Sequence, residues 1–319
     1  MKRMAGLAAL FSLALASAAA AQDFRVTLLG TGSPNPLPDR FGPSTLVEAG
    51  SQKLLFDAGR GATIRLAQIG VPIGALNATF LTHFHSDHVN GLPDLWLTGW
   101  IDRPYGGRKG PFRIIGPVGT RGLMGGLEQA YKDDLRIRND DEKFPMEAIA
   151  VAASDFSEEG VVYEKDGVRV TAFNVDHGKY ITPAVGYRVD FGGRSVVLSG
   201  DTRYSENLIK HATGATLIVH EVAAANPDLL RKSTVVQVIF AHHTSPQEAG
   251  TVFTKTRPKL AAFTHLVLIG GPNAKPPTPD EVAAQTRETW AGPLAVGTDL
   301  MAFDLREDRV DVVPNAAGK

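Results

Sequence analysis

Four side chains of the kinds that bind metal ions lie within six residues of one another: His83, His85, Asp87 and His88. The chain has only 9 histidines in all, so this density is not expected by chance. The segment follows a strand-like run at residues 78–81 and precedes Pro93, which is typical of a first helical turn. Because alternate residues of an extended backbone point the same way, His83 and His85 can reach one metal ion while Asp87 and His88 reach another. The spacing predicts a metal site at the end of a strand.

Three further metal-donor side chains follow apolar, strand-like runs later in the chain. They are His177 after residues 168–173, Asp201 after residues 195–198 and His265 after residues 260–263. We expect these donors to converge with the first four at one edge of stacked sheets. Imidazole and carboxylate ligands suit zinc, manganese or iron where thiolates are absent, and the chain has no cysteine.

Strand-like and helical runs alternate along the rest of the chain. The predicted strands are residues 24–29, 45–48, 53–56, 78–81, 113–115, 168–173, 184–190, 195–199, 216–220, 260–263 and 301–305. The predicted helices are residues 62–69, 92–101, 122–136, 246–256 and 280–289. This mixture predicts sheets covered by helices in a single domain that comprises residues 22–319. The polar stretch at residues 133–143 is interpreted as a surface loop or a break between halves.

Residues 1–21 have the layout of a secretory signal peptide. Lys2 and Arg3 give a basic start, an apolar run of about twelve residues follows, and small residues lead up to Ala21. The apolar run is too short to span a bilayer comfortably. We therefore expect cleavage near Ala21, a periplasmic or secreted mature protein, and no membrane anchor after processing.

The charge of the mature chain argues against a polyanionic partner. Without Lys2 and Arg3, the 33 basic residues become 31 against 34 acidic residues, which gives a net charge of about −3. Nucleic-acid-binding proteins usually carry a basic excess. Arg103, Arg108 and Lys109 follow the helix predicted at residues 92–101 and could meet an anionic substrate, although a solvated surface explains them equally well.

The donor residues together resemble the metallo-β-lactamase superfamily. Residues 29–34, the His83–His88 motif, His177, Asp201 and His265 carry the resemblance, which extends from Phe24 at least to His265. Similarity to the tRNase Z branch and its periplasmic arylsulfatase-like relatives lies in residues 30–36, 40–44, 56–59, 183–188, 220–221, 243–245 and 248–249. The resemblance implies an α/β fold of the αββα sandwich type. Two mixed β-sheets would pack face to face, with helices on their outer faces and the metal site at one edge.

The resemblance also implies a role for each candidate site residue. His83, His85 and His177 would hold one divalent cation, Asp87, His88 and His265 a second, and Asp201 would bridge the two. Zinc is expected first, with manganese or iron as alternatives. Asp87 could also accept the proton of the nucleophile. His243, paired with Glu221, would protonate the leaving group, and His242 is the alternative if the register is shifted.

These assignments favour a binuclear hydrolase that cleaves phosphodiester or sulfate ester bonds by a metal-bound hydroxide. A small anionic ester is favoured over nucleic acid, because the chain shows no basic Gly/Pro-rich arm for tRNA. A lactonase or β-lactamase reaction is the alternative, and a non-catalytic metal-binding protein is a third class. A di-iron oxidoreductase would need a carboxylate in place of His85. The family resemblance also allows a homodimer.

Overall fold

A computed structural model describes residues 23–102 and 105–318. The signal-peptide prediction and Arg103 lie outside the described residues. Fifteen strands are found in this part of the chain: β1 Phe24–Gly30, β2 Ser44–Ala49, β3 Gln52–Phe56, β4 Ala78–Phe80, β5 Phe112–Pro117, β6 Val151–Phe156, β7 Gly160–Lys165, β8 Val168–Asn174, β9 Val185–Phe191, β10 Arg194–Leu198, β11 Leu217–Ala225, β12 Leu260–Ile269, β13 Leu294–Val296, β14 Ala302–Leu305 and β15 Val310–Val313.

Eleven α-helices connect these strands within the described residues. They are α1 Ala62–Gln68, α2 Ser86–Val89, α3 Leu92–Trp100, α4 Thr120–Ala130, α5 Lys132–Asp141, α6 Met146–Ile149, α7 Glu206–Ala212, α8 Pro227–Lys232, α9 Thr234–Phe240, α10 Pro246–Thr256 and α11 Pro279–Thr286. Helix α10 begins with a capping box between Ser245 and Glu248, and α11 with one between Thr278 and Glu281. No helix of the described residues is long and apolar enough to cross a membrane.

The strands form two mixed sheets. The first has the order β15-β14-β1-β2-β3-β4-β5-β6, and its strands β3 to β6 are parallel. The second has the order β13-β12-β11-β10-β9-β8-β7, and its strands β10 to β13 are parallel. Parallel strands present their carboxyl ends at the same edge of a sheet. The segments after β4, β8 and β10 carry six of the seven predicted metal donors, and His265 lies within β12.

Three apolar layers hold the two sheets and their helices together. Between the sheets, the rings of Phe56 and Phe80 stack at 4.8 Å, and Tyr187 packs against both. A second cluster lies under α1, α3 and α4, and a third under α7, α10 and α11. Trp96 and Trp100 belong to the second cluster and are buried. The αββα prediction is confirmed.

The prediction of a loop or break at residues 133–143 is wrong, because most of this stretch forms helix α5. No residue of this helix is buried, so the apolar periodicity on which a helix prediction depends is absent. Charged pairs one turn apart stabilise it instead. Arg138 lies 3.2 Å from both Asp134 and Glu142, and Arg136 lies 3.6 Å from Asp140.

Candidate metal centre

The loop after β4 is held in place by Asp57, a buried residue at the end of β3. Its carboxylate accepts hydrogen bonds of 2.8 Å from the backbone N–H and the hydroxyl of Thr82. The same carboxylate accepts one of 2.7 Å from Nδ1 of His88. Helix α2 begins directly after His85, so the backbone turns sharply within the motif. Asp57 therefore fixes both ends of the loop and leaves Nε2 of His88 to face the site.

Nitrogen atoms of three histidines meet on one side of the site. Nε2 of His83 lies 3.0 Å from Nδ1 of His85, and Nε2 of His177 lies 3.3 Å from the same atom. The carboxylate of Asp201 completes this group, with Oδ2 3.8 Å from His83 Nε2 and 3.6 Å from His177 Nε2. The four donor atoms all lie within 4.8 Å of one another, so they can surround a single cation.

A second group lies on the other side of Asp201. Nε2 of His265 is 3.3 Å from Oδ2 of Asp87, and Nε2 of His88 is 3.7 Å from the same oxygen. Oδ2 of Asp201 lies 3.3 Å from Nε2 of both histidines. Asp201 is therefore in reach of both groups. All seven residues predicted from the sequence come together, and each group contains the members that were expected.

His265 reaches the site because β12 contains a β-bulge. The pairing of β11 with β12 shifts there: Glu221 pairs with Thr264, but Val222 pairs with Leu266. The extra residue, His265, has a left-handed backbone with φ 42°, which is uncommon for a residue other than glycine. A bulge re-aims one side chain without ending the strand. The sequence prediction that His265 follows the end of a strand is therefore wrong in detail, since β12 continues to Ile269.

The donor set fits divalent cations. Six of the seven donors are buried, with His85 the exception. In the described residues, the ion-pair partners of Asp87 and Asp201 are histidines alone. Burying two carboxylates so close together is costly unless positive charge lies between them. Nε2 of His88 is buried without a hydrogen bond of acceptable geometry, so it too is available to a cation.

The histidines of the two donor groups differ in the direction of their pKa shifts. In the metal-free protein, burial lowers the pKa of His83 well below its usual value and the pKa of His177 to about 4. Both imidazoles are therefore neutral, which is the form that binds metals. Burial also opposes charge on His88, but Asp201 and Asp57 outweigh it and raise its pKa well above the usual value. A cation bound at Nε2 would take the place of that proton.

We expect Asp57→Asn to lower metal affinity about 10-fold to 100-fold, because an outer partner that orients a metal-binding histidine contributes on that scale. The amide would keep the size of the side chain but lose the charge that holds Nδ1 of His88. Competition with a chromophoric chelator measures the affinity, and circular dichroism checks the fold. Unchanged affinity in a folded variant would remove Asp57 from this role.

A histidine and a glutamate form a second functional unit beside the cluster. Nδ1 of His243 lies 3.1 Å from Oε2 of Glu221, which is buried. The other oxygen of Glu221 accepts a 2.9 Å hydrogen bond from the backbone N–H of Thr244. Burial lowers the pKa of His243, but the charge and hydrogen bond of Glu221 outweigh it and raise this pKa to about 9. His243 is therefore cationic in the metal-free protein, with Nε2 free to donate a proton.

The structure distinguishes His242 from His243. The side chain of His242 does not contact Glu221; its backbone oxygen accepts a 2.8 Å hydrogen bond from Nδ1 of His177. Both histidines lie in the loop that follows helix α9. Gly178, at φ 109°, lies under the His242 ring, and a Cβ there would come within 2.9 Å of it. His243 is thus the member of the pair that meets the carboxylate.

Comparisons with known proteins identify the family of the chain. A family profile described as "Anti-Pycsar protein Apyc1" matches residues 24–231, which is more than half of the chain. Ribonuclease Z of Mycobacterium bovis (strain BCG / Pasteur 1173P2) is 34% identical over 291 residues, which cover 89% of this chain and 99% of the relative. The chain belongs to the metallo-β-lactamase superfamily, in its ribonuclease Z branch.

Solved structures of this superfamily share the fold. The metallo-β-lactamase fold protein YhfI from Bacillus subtilis superposes with a TM-score of 0.66 at 17% identity, covering 89% of this chain and all of that protein. The short form of human tRNase Z superposes with a TM-score of 0.65 at 21% identity, covering 88% of this chain and 99% of that protein. At these identities the likeness extends to the fold alone.

The site opens into a cavity of about 350 Å³. The glycine-rich run after β1 contributes Ser33, Pro34 and Asn35 to its wall. A Cβ on Gly30 would overlap the carbonyl oxygen of Gly42, so this run crosses another backbone segment closely. Asp299 holds the run by accepting 2.9 Å and 2.7 Å hydrogen bonds from the backbone N–H groups of Thr31 and Phe41. Sequence reasoning missed Asp299.

Arg108 and Lys109, the two described basic residues that were considered for substrate binding, do not line this cavity. Arg108 is buried and donates hydrogen bonds to the backbone oxygens of Trp96 and Ala148. It therefore holds a loop, which neither of the two sequence interpretations anticipated. Lys109 lines a different surface cavity, together with Arg113 and Lys165.

Proposed function

We propose that the chain is a metal-dependent hydrolase that cleaves phosphodiester bonds with two divalent cations, zinc foremost. The observation that carries the proposal is a single cavity lined by five of the seven donors, His85, Asp87, His177, Asp201 and His265, and by His243, which pairs with Glu221. The similarity to proteins named ribonuclease Z supports the same bond type, because a ribonuclease cleaves phosphodiesters.

The donors divide naturally between two cations. The first would be held by His83, His85 and His177, and the second by Asp87, His88 and His265, with Asp201 shared between them. Ligands of this type, without thiolates, suit zinc and also manganese or iron. When bound, the two cations would supply Lewis acidity and lower the pKa of water at the site.

Two side chains of the protein would accept and donate the protons of the reaction. In hydrolysis, the oxygen of water forms a bond to phosphorus and the ester P–O bond breaks. Asp87 would accept a proton from the attacking water. His243 would donate a proton from Nε2 to the departing oxygen. Because Glu221 opposes the repulsion that nearby cations exert on a charged imidazole, it would keep His243 in the form that can donate.

The proposed substrate is a small anionic ester. A cavity of about 350 Å³ is at the small end of the range for small-molecule sites. Sulfate esters fit the same machinery, because their hydrolysis also needs charge neutralisation and a proton for the leaving oxygen. RNA processing is the second candidate function, and the names of the ribonuclease Z relatives favour it.

A side-by-side assay of the zinc-loaded protein tests the proposal. The substrates are bis(4-nitrophenyl) phosphate, 4-nitrophenyl sulfate, a lactone, a cephalosporin and a tRNA precursor with a 3′ extension. The phosphodiester should be cleaved fastest among the small substrates, and metal analysis should find close to two ions per chain. Faster cleavage of the lactone or cephalosporin would support the alternative reaction. Metal content near zero would overturn the proposal.

Export and assembly are further parts of the proposal. If residues 1–21 are a signal peptide, the full-length chain expressed in a Gram-negative host should reach the periplasm with a mature N-terminus at or close to Gln22. Mass spectrometry of the fractionated cells measures this, and a chain that lacks residues 2–21 is the control that should stay in the cytoplasm. Full-length mass in the cytoplasmic fraction would contradict export.

Light scattering of the mature chain tests the homodimer.

A further inference from the structure

The part of the cavity wall that contributes no metal donor is mainly apolar. Its apolar members come from three separate elements: Pro34 from the run after β1, Ile239 from helix α9, and Val267, Leu268 and Ile269 from the end of β12. His243 also lines this part, and the remaining members are the small or polar residues Ser33, Asn35, His242 and Gly270.

No lysine or arginine of the described chain lines this cavity. Proteins that hold a nucleic-acid backbone neutralise its phosphates with such residues, and this contact dominates their affinity. One phosphodiester charge can be met by the metal centre and His243. Additional phosphates would find no cationic side chain in the cavity itself.

The apolar wall is open to solvent. Ile239 is 38% exposed, and Leu268 and Ile269 are only partly buried. The bulge at His265 directs that side chain to the metal cluster, and the strand then continues as Leu266–Ile269 along the cavity. Apolar surface exposed in a concave site is typical of ligand binding, because a ligand that covers it releases water.

We propose that this wall selects phosphodiesters whose organic group is uncharged and apolar, an aryl or alkyl group seated against Ile239 and Leu268. The inference rests on the proposed function, since it assumes that the metal centre engages the phosphodiester. The metal centre and His243 would act on the ester bond, while Ile239 and Leu268 determine which organic group is accepted. A hydrophobic wall of this kind discriminates by about tenfold or more for each group that it covers.

Three esters with the same leaving group test the specificity of the zinc-loaded protein. They are methyl 4-nitrophenyl phosphate, phenyl 4-nitrophenyl phosphate and the 4-nitrophenyl ester of thymidine 5′-phosphate. We expect kcat/KM for the phenyl ester to exceed that for the methyl ester about tenfold or more, and also to exceed that for the nucleotide ester. Equal values for phenyl and methyl, or a preference for the nucleotide ester, would overturn the inference.

Two variants assign the preference to the wall. Ile239→Ser and Leu268→Ser should each lower the phenyl-to-methyl ratio of kcat/KM several-fold, by about tenfold at most. Val235→Ser is the matched control, because Val235 lies on the same helix, is 70% exposed and does not line the cavity. It should leave the ratio unchanged. An equal loss on both esters in the wall variants would indicate a general structural defect and contradict the inference.

A binding measurement separates failure of this inference from failure of the proposed function. Isothermal titration calorimetry compares diphenyl phosphate with dimethyl phosphate on the metal-free and the zinc-loaded chain. Tighter binding of diphenyl phosphate, reduced in Ile239→Ser, would support the apolar wall even if no ester were hydrolysed. Hydrolysis of all three esters without a difference in binding would retain the proposed function and overturn the wall.

Discussion

Replacing Asp201 with asparagine is expected to reduce phosphodiester hydrolysis to the rate of the uncatalysed reaction and to lower the metal content well below two ions per chain. Oδ2 of Asp201 lies 3.3 Å from His88 and His265, 3.6 Å from His177 and 3.8 Å from His83. Of the two carboxylates in the cluster, Asp201 is the one that lies close to histidines of both donor groups. A neutral amide in its place would remove the shared negative charge, so that two cations would repel each other without compensation. Metal analysis and initial rates on bis(4-nitrophenyl) phosphate measure both effects.

Asp176→Asn is the matched control for this substitution. Asp176 is also an aspartate in a loop of the metal edge, directly before His177, but its carboxylate is exposed and pairs with Arg203 at 2.8 Å. An exposed pair of this kind contributes little to stability. The control should therefore retain its metal ions and most of its rate. If Asp201→Asn retained two ions and the rate of the unchanged protein, the shared role of Asp201 would be wrong.

The central strands of the two sheets could be predicted from the sequence, but four edge strands could not. All eleven predicted strands are present, with bounds that differ by a few residues. The four missed strands are β6, β7, β13 and β15, and each of them is the edge strand of a sheet. An edge strand buries fewer side chains, so it lacks the continuous apolar run by which central strands are recognised. The residues of β6, for example, are half-buried or exposed throughout.

The metal donors were accessible to prediction because their identities and positions are local properties of the sequence. A donor residue shortly after a buried strand is visible without knowledge of the fold, as for Asp201 after β10. The bulge that aims His265 is different, because it depends on a shift in pairing between β11 and β12. Neither Asp299 nor the apolar cavity wall could be identified, since both arise from segments that are far apart in the chain.

Replacing His243 with alanine is expected to have an effect that depends on the leaving group. Esters of alkyl alcohols should lose about 10²-fold to 10⁴-fold in kcat, because the departing alkoxide would find no proton donor. Esters of 4-nitrophenol should lose far less, since that leaving group departs as a stable anion. The ratio of the two rates, measured on the same zinc-loaded preparation, isolates the contribution of the proton. Glu221→Gln should change the ratio in the same direction, because it removes the charge that raises the pKa of His243.

His242→Ala is the matched control, and it resolves the alternative that the sequence left open. The two histidines are adjacent, yet only His243 meets Glu221, at 3.1 Å, whereas His242 supplies a backbone oxygen to His177. Alanine at position 242 keeps that backbone oxygen, so the metal site should persist and the ratio of alkyl to nitrophenyl rates should not change. If His243→Ala lowered both rates equally, while His242→Ala lowered the alkyl rate alone, the proton donor would be His242. The pairing with Glu221 would then serve to hold the turn between α9 and α10, where its buried carboxylate also accepts the backbone N–H of Thr244.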